Sequence, residues 1–168
     1  MVVIVMGVSG VGKSTVGRAL AERLGWEFHD GDAFHPPSNV AKMKAGQPLD
    51  DADRQPWLQA IRDFMEQGQA EGRNLVIACS ALRERYRDQL GRAEPWVRFV
   101  FLHGTKELIA RRMQARAGHF MPPTLLDSQL ATLEVPVDAV AVPVDGTPVE
   151  MVDRILAALP AFSPGGTG

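Results

Sequence analysis

The sequence holds one cysteine, Cys79, which excludes a disulfide within the chain and fits a reducing compartment. Positive charge is not in excess. Lys and Arg number 18 against 20 Asp and Glu, a net −2, so no global basic field invites nucleic acid. Long apolar runs are missing as well. The N-terminal one covers five or six residues without a basic leader, too short for a signal peptide or a membrane span. These absences set the expectation of a soluble, cytoplasmic protein with neither membrane nor nucleic acid as partner. What is present is an ordinary globular composition, 45% hydrophobic and 23% charged over 168 residues, long enough for one domain with a proper core.

The stretch around which the chain is organised is VVIVMGVSGVGKST, residues 2–15. Five apolar residues read as a short buried strand, which runs into Gly7-x-x-x-x-Gly12-Lys13-Ser14, the P-loop pattern. Each part has a chemical reason. The loop Gly7, Val8, Ser9, Gly10, Val11 and Gly12 curls so that successive N–H groups cradle phosphate oxygens. A helix beginning near Thr15 aims its positive end at the same anion. Lys13 would reach the β- and γ-phosphates of ATP, and the Ser14 hydroxyl would ligate Mg²⁺.

Further along, apolar runs alternate with helical patterns, the mark of an α/β fold with a parallel sheet. Strands are expected at residues 26–28, 75–79, 97–102 and 140–144, besides the first. Pro143 suggests an edge or strand-end position for the last of them. A helix over about 54–71, capped by Asp51 or Asp53, would bury Trp57, Leu58, Ile61, Phe64 and Met65. A polar helix follows at 82–90, a basic one at 105–117, and a closing one at 147–159. One domain over 1–162 is expected, with a disordered tail at 163–168.

What surrounds the phosphate cradle separates P-loop proteins from one another. Asn-Lys-x-Asp, which reads guanine in GTPases, is absent, and the only Asp-x-x-Gly match, Asp88 to Gly91, lies in the polar helix. A Ser-Gly-Gly-Gln signature of transporter ATPases is absent too. The strand that should end in a Walker-B acid ends in Cys79-Ser80, so the Mg²⁺-organising carboxylate must come from elsewhere, and the two acids of His29-Asp30-Gly31-Asp32-Ala33-Phe34 are the obvious source. Small kinases that phosphorylate metabolites have this layout. They also carry an acceptor-binding segment after strand two, here 31–55, and an Arg-rich lid, here 111–124. Such a lid excludes water from the transfer, and its arginines neutralise the moving phosphoryl group.

Four strings carry a resemblance: GVSGVGKST, HDGDAFHPPSNVAKMKAGQPLDDADRQPWL, CSALRERYRDQL and RMQARAGHFMPPTLLDSQLATLEVP. Together they resemble the small P-loop gluconokinases over residues 3 to about 155. The resemblance implies ATP-dependent phosphorylation of D-gluconate to 6-phosphogluconate. It also implies a five-stranded parallel sheet like that of nucleoside monophosphate kinases, with helices on both faces and a lid, and a homodimer.

The residues themselves fit that chemistry. Gluconate has a carboxylate at one end and the reacting alcohol at the other. Asp30 and Asp32, alternate residues near the end of strand two, would hold Mg²⁺-bound water and orient the attacking hydroxyl, respectively, though the two roles could be exchanged. His35, Asn39 and Lys42 could bind hydroxyls or the carboxylate. Arg54 suits the carboxylate better because guanidinium makes a two-pronged pair, the alternative being a surface pair with Asp50 or Asp51. Arg83 and Arg87, at helical spacing, could clamp the acceptor or the γ-phosphate, or simply face solvent. Arg112 and Arg116 would project from one face of the lid helix toward the transferring group, with Arg112 also near the base of ATP. His119 and Gln129 flank the lid, where contact with the acceptor and a structural hydrogen bond are equally open. His29 and His103 read as structural, and Cys79 and Trp57 as packing. Two rivals remain at this point: another small-acid or nucleotide kinase such as shikimate kinase, and a regulatory nucleotide-binding module without turnover.

Overall fold

The computed structural model describes residues 1–115 and 123–159. The lid tip with Arg116 and His119, and the tail at 163–168, lie outside them. Strand β1, Val2–Met6, is fully buried and sits at the centre of the sheet. Around it lie β2 (Glu27–Asp30), β3 (Leu75–Ala78), β4 (Val97–His103) and β5 (Val140–Pro143) in the order β2-β3-β1-β4-β5. All neighbouring pairs are parallel. The helices are α1 (Lys13–Leu24), α2 (Pro37–Lys44), α3 (Asp51–Ala70), α4 (Glu84–Gln89), α5 (Lys106–Ala115), α6 (Pro123–Thr132) and α7 (Pro148–Ala158).

Strand alternation divides the core into two layers. Val3, Val5, Val76, Val100 and Leu102 point to one face, where Val16 and Leu20 of α1 and Met151, Val152 and Ile155 of α7 meet them. Val2, Ile4, Met6, Leu75, Ile77, Phe99 and Phe101 point to the other, against Trp57, Leu58, Ile61 and Met65 of α3. Both faces of the sheet are thus covered, which is why its central strands read as unbroken apolar runs. Pro143 ends the edge strand β5, where its missing N–H costs the sheet nothing.

Most boundaries shift by a residue or two from the sequence reading, and two of the differences bear on the site. β2 runs from Glu27 to Asp30 rather than over 26–28, because pairing with β3 aligns His29 with Ile77 and Asp30 with Ala78 despite the polar side chains. α3 begins at Asp51 and is capped by Asp50, not by Asp51 or Asp53. The Asp50 carboxylate accepts from Asp53 N at 2.7 Å and the Asp53 carboxylate from Asp50 N at 3.0 Å, a reciprocal capping box.

The strand order reverses at β1, between β3 and β4, and in parallel sheets the crevice at such a reversal, beyond the carboxyl ends, is where ligands bind. Three features issue from that edge: the P-loop after β1, Asp30 at the end of β2, and Cys79-Ser80 after β3. Among the described residues, no helix is long and apolar enough to cross a membrane.

Candidate active site

The P-loop leaves β1 and turns into α1 through Gly12, whose φ of 92° and ψ of 30° a side chain would resist. The Lys13 ammonium folds back over the loop and donates to the carbonyls of Gly7 (2.9 Å) and Val8 (3.1 Å). Ser14 and Thr15 follow in the first turn of α1. Ser14 Oγ donates to Asp30 Oδ2 at 3.1 Å, which joins the loop to the end of β2.

Asp30 and Asp32 are not placed by strand alternation, as the sequence reading had it. Asp30 ends β2, and its other oxygen, Oδ1, accepts from Asp32 N at 3.0 Å, capping a single 3-10 turn over Gly31–Phe34 that carries Asp32. Gly31 makes the turn possible. A Cβ there would lie 2.5 Å from the Ala78 carbonyl oxygen, so β2 could not approach β3 this closely with a side chain in place. The Asp32 side chain is 84% exposed, with Asp30, Lys13 and His35 near enough to act on its charge. Partial loss of hydration and the neighbouring Asp30 charge raise its pKa, while Lys13 and His35 pull it down.

The acceptor segment forms a knitted wall behind these acids. The His35 ring stacks on Trp57, with centroids 4.2 Å apart and planes 14° off parallel, and its Nε2 lies 3.8 Å from Asp32 Oδ1. Burial lowers the His35 pKa, Asp32 opposes the shift and Arg54 adds to it. Trp57 Nε1 donates to the Gly31 carbonyl at 2.8 Å. Trp57 therefore does more than pack, a role hidden in the sequence because apolar spacing alone explained it.

Several expected ligands are spent elsewhere. Asn39 is buried and donates to the Asp53 carbonyl at 2.8 Å, so in this arrangement it ties α2 to α3 instead of facing an acceptor. Lys42 Nζ pairs with Asp53 Oδ2 at 2.8 Å. The largest correction concerns Arg87, read as a clamp or a solvated residue. It is 2% exposed and donates from Nη1 to Ala81 O and from Nη2 to Glu134 O, both at 2.8 Å. Burial lowers its pKa, chiefly through lost hydration. Ala81 has φ 45°, an uncommon value for a residue with a side chain, and Arg87 holds its carbonyl in place. Replacing Arg87 with alanine strands the buried Ala81 carbonyl, unties the part-buried Glu134 carbonyl and opens a hole. We expect a loss of about 2–4 kcal/mol of unfolding free energy, read from the denaturant midpoint. An unchanged midpoint would return Arg87 to the list of free cations.

Arg54 and Arg83 remain on the acceptor side. Arg54 Nη1 bonds the Tyr86 hydroxyl at 3.3 Å and lies over the ring, 5.6 Å from its centroid. Tyr86 in turn bonds Asp51, which also pairs with Arg85, so Arg54 is hydrogen-bonded to the acid through the tyrosine. Arg83 is half-buried, and its Nε is sheltered with no hydrogen-bond partner among the described residues. On the opposite side of the P-loop, Arg112 Nη2 donates to Gly146 O at 3.2 Å, just past β5. A cavity of about 410 Å³ lies nearby, lined by His103, Gly104, Thr105, Leu108, Pro143, Val144 and Asp145. Gln129 of α6 contacts the P-loop: Ser9 N donates to its Oε1 at 2.6 Å, and its Nε2 donates to Ser9 Oγ at 2.9 Å. Cys79 is buried and its thiol is pushed up to about 12, which agrees with packing.

A hard cation fits the chemistry of the Ser14–Asp30 pair, a hydroxyl and a carboxylate oxygen side by side. Among the described residues there is no group of three or more His, Cys, Asp or Glu that could hold a metal. Two protein oxygens suffice for an ion that takes its remaining ligands from water and phosphate.

Known proteins match this chain closely. A family model described as an AAA domain covers residues 2–136. Gluconokinase from Gluconobacter oxydans (strain 621H) is 53% identical over 135 residues, spanning 80% of this chain and 76% of that protein. Thermosensitive gluconokinase from Escherichia coli (strain K12) is 47% identical over 133 residues, 79% of this chain and 71% of that protein. The crystal structure of a gluconokinase from Sinorhizobium meliloti 1021 superposes with a TM-score of 0.83 at 50% identity, covering 92% of this chain and 89% of that one. Identity at this level goes well beyond a shared fold: the chain belongs to the gluconokinase family of P-loop kinases.

Proposed function

We propose that this chain transfers the γ-phosphoryl group of ATP to the terminal primary alcohol of D-gluconate, giving 6-phospho-D-gluconate and ADP. The observation that carries the reading is the Ser14–Asp30 contact at 3.1 Å, because it joins the triphosphate cradle to the carboxylate that caps the turn carrying Asp32. Transfer is in line, with no covalent enzyme intermediate, and positioning with charge neutralisation supplies most of the rate.

Backbone N–H groups of residues 7–15 and the Lys13 ammonium bind the phosphates. To do so, Lys13 exchanges its two loop carbonyls for phosphate oxygens. Arg112 and the cavity past β5 take the base and ribose. Ser14 and Asp30 would hold Mg²⁺, which would offset the charge of the phosphates. Asp32 accepts a hydrogen bond from the acceptor hydroxyl, aims it at the phosphorus and takes up its proton. Arg54 and Arg83 suit the far carboxylate: both lie near Asp51, and Arg83 keeps an unspent donor. Arg116 supplies lid charge, and His119 contacts the acceptor. A homodimer, which rests on the family resemblance alone, and a cytoplasmic location, which rests on the sequence composition, belong to the same proposal.

A coupled ADP-release assay tests the reading against a panel of D-gluconate, other sugar acids, shikimate and nucleoside monophosphates. We expect kcat/KM for D-gluconate to exceed that of every other acceptor by at least ~10²-fold. A best acceptor from the shikimate or nucleotide arm, or no turnover at all, would overturn it.

A further inference from the structure

We propose that His35 is a positioning residue for Asp32, presenting to that carboxylate an N–H whose place on the ring is dictated by Asn39. The inference rests on the reading above, in which Asp32 orients the acceptor hydroxyl. It begins at a backbone carbonyl. Asp53 O can only accept, so the Asn39 atom 2.8 Å from it must be the amide nitrogen, and the side chain has one possible orientation. That same nitrogen lies 3.2 Å from His35 Nδ1. Its second hydrogen therefore points at Nδ1, which must offer a lone pair. In a neutral imidazole the single proton is then on Nε2.

Nε2 is the ring atom that faces Asp32, 3.8 Å from Oδ1. The ring has little freedom to do otherwise. Its side chain is 4% exposed, it lies flat on Trp57, and Trp57 is itself pinned to the Gly31 carbonyl. Burial favours the uncharged ring. The Asp32 side chain, by contrast, is 84% exposed, and its Oδ1 need only close from 3.8 Å to about 3 Å to accept from Nε2–H. Tethering one oxygen leaves the other to receive the acceptor hydroxyl in one orientation. A chain of fixed polarity thus runs from the backbone of α3 through Asn39 and His35 to the acid. Because the ring is covered, His35 acts through Asp32 and not on the acceptor.

Two measurements decide the matter. In the ¹⁵N spectrum of labelled wild-type protein at neutral pH, His35 should show a bare Nδ1 and a protonated Nε2. The opposite tautomer would overturn the proposal without any variant having to fold. Kinetically, His35→Phe keeps a flat ring on Trp57 but has no N–H, whereas His35→Gln restores a donor. We expect His35→Phe to lower kcat with D-gluconate on the order of tenfold, with KM changed by less than about twofold, and His35→Gln to recover most of the loss. Full kcat in His35→Phe, a change in KM alone, or a glutamine no better than phenylalanine sinks the tether. Asp32→Ala is measured alongside. Inactivity there with an active His35→Phe withdraws only the tether, whereas near-normal turnover in Asp32→Ala withdraws the reading beneath it.

Discussion

Lys13→Ala should lower kcat/KM for ATP by on the order of 10³-fold or more while leaving the fold intact. The ammonium is the charge built into the P-loop itself, held over it by the carbonyls of Gly7 and Val8. Phosphate oxygens compete well for it, since a charged pair in a water-poor cradle is stronger than a bond to a neutral carbonyl. The transferring group spreads its charge in the transition state, so the loss falls on kcat as well as on ATP binding. Position 13 opens α1, where alanine is the best helix former, and the two carbonyls it frees lie in a part-buried loop that water can reach. Steady-state kinetics with a thermal unfolding curve check both halves. Turnover within tenfold of wild type would remove Lys13 from the catalytic list.

The second large effect is expected at Asp32. Asp32→Ala should reduce kcat by about 10²–10⁴-fold with D-gluconate, the usual range for loss of a positioned acid or base. Asp32 is a cleaner probe than Asp30, whose two oxygens cap the 3-10 turn and bond Ser14, so its removal would disturb structure as well as chemistry. Asp32→Asn separates two contributions. An amide can accept the hydroxyl's hydrogen bond but cannot take its proton, so activity close to wild type in that variant would reduce Asp32 to an orienting group. Rapid-quench measurement of the phosphoryl-transfer step gives the number directly.

Much of this architecture was legible because it depends on local pattern. The buried β1 run, the glycine spacing of the P-loop and the apolar face of α3 are short-range signals, and the structure places each where the pattern put it. β2 escaped its true limits because Glu27, His29 and Asp30 are polar, and the strand exists through its ladder to β3, 45 or more residues away. The capping of α3 was ambiguous for a different reason. Asp50, Asp51 and Asp53 are chemically alike, and only the extended backbone at Asp50 chooses among them. Arg87 was misread since helical spacing says nothing about which side of a short helix is covered. Its partners, the Ala81 and Glu134 carbonyls, converge only in the fold. The Gln129–Ser9 contact, 120 residues apart in sequence, was hidden in the same way. Asn39 and His35 carried a signal of polarity but none of direction, and the direction decides what they can do.

The close approach at Gly31 has a bearing on redesign. With the main chain of β2 pressed against the Ala78 carbonyl, the interval between the two cleft acids is a property of the backbone, beyond the reach of side-chain exchange. Anyone wishing to retarget this enzyme to a shorter or longer acid should leave that turn alone. On the proposed function, the adjustable register is at the far end, where Arg54 and Arg83 would meet the other terminus of the acceptor and a change of reach would alter which chain length fits.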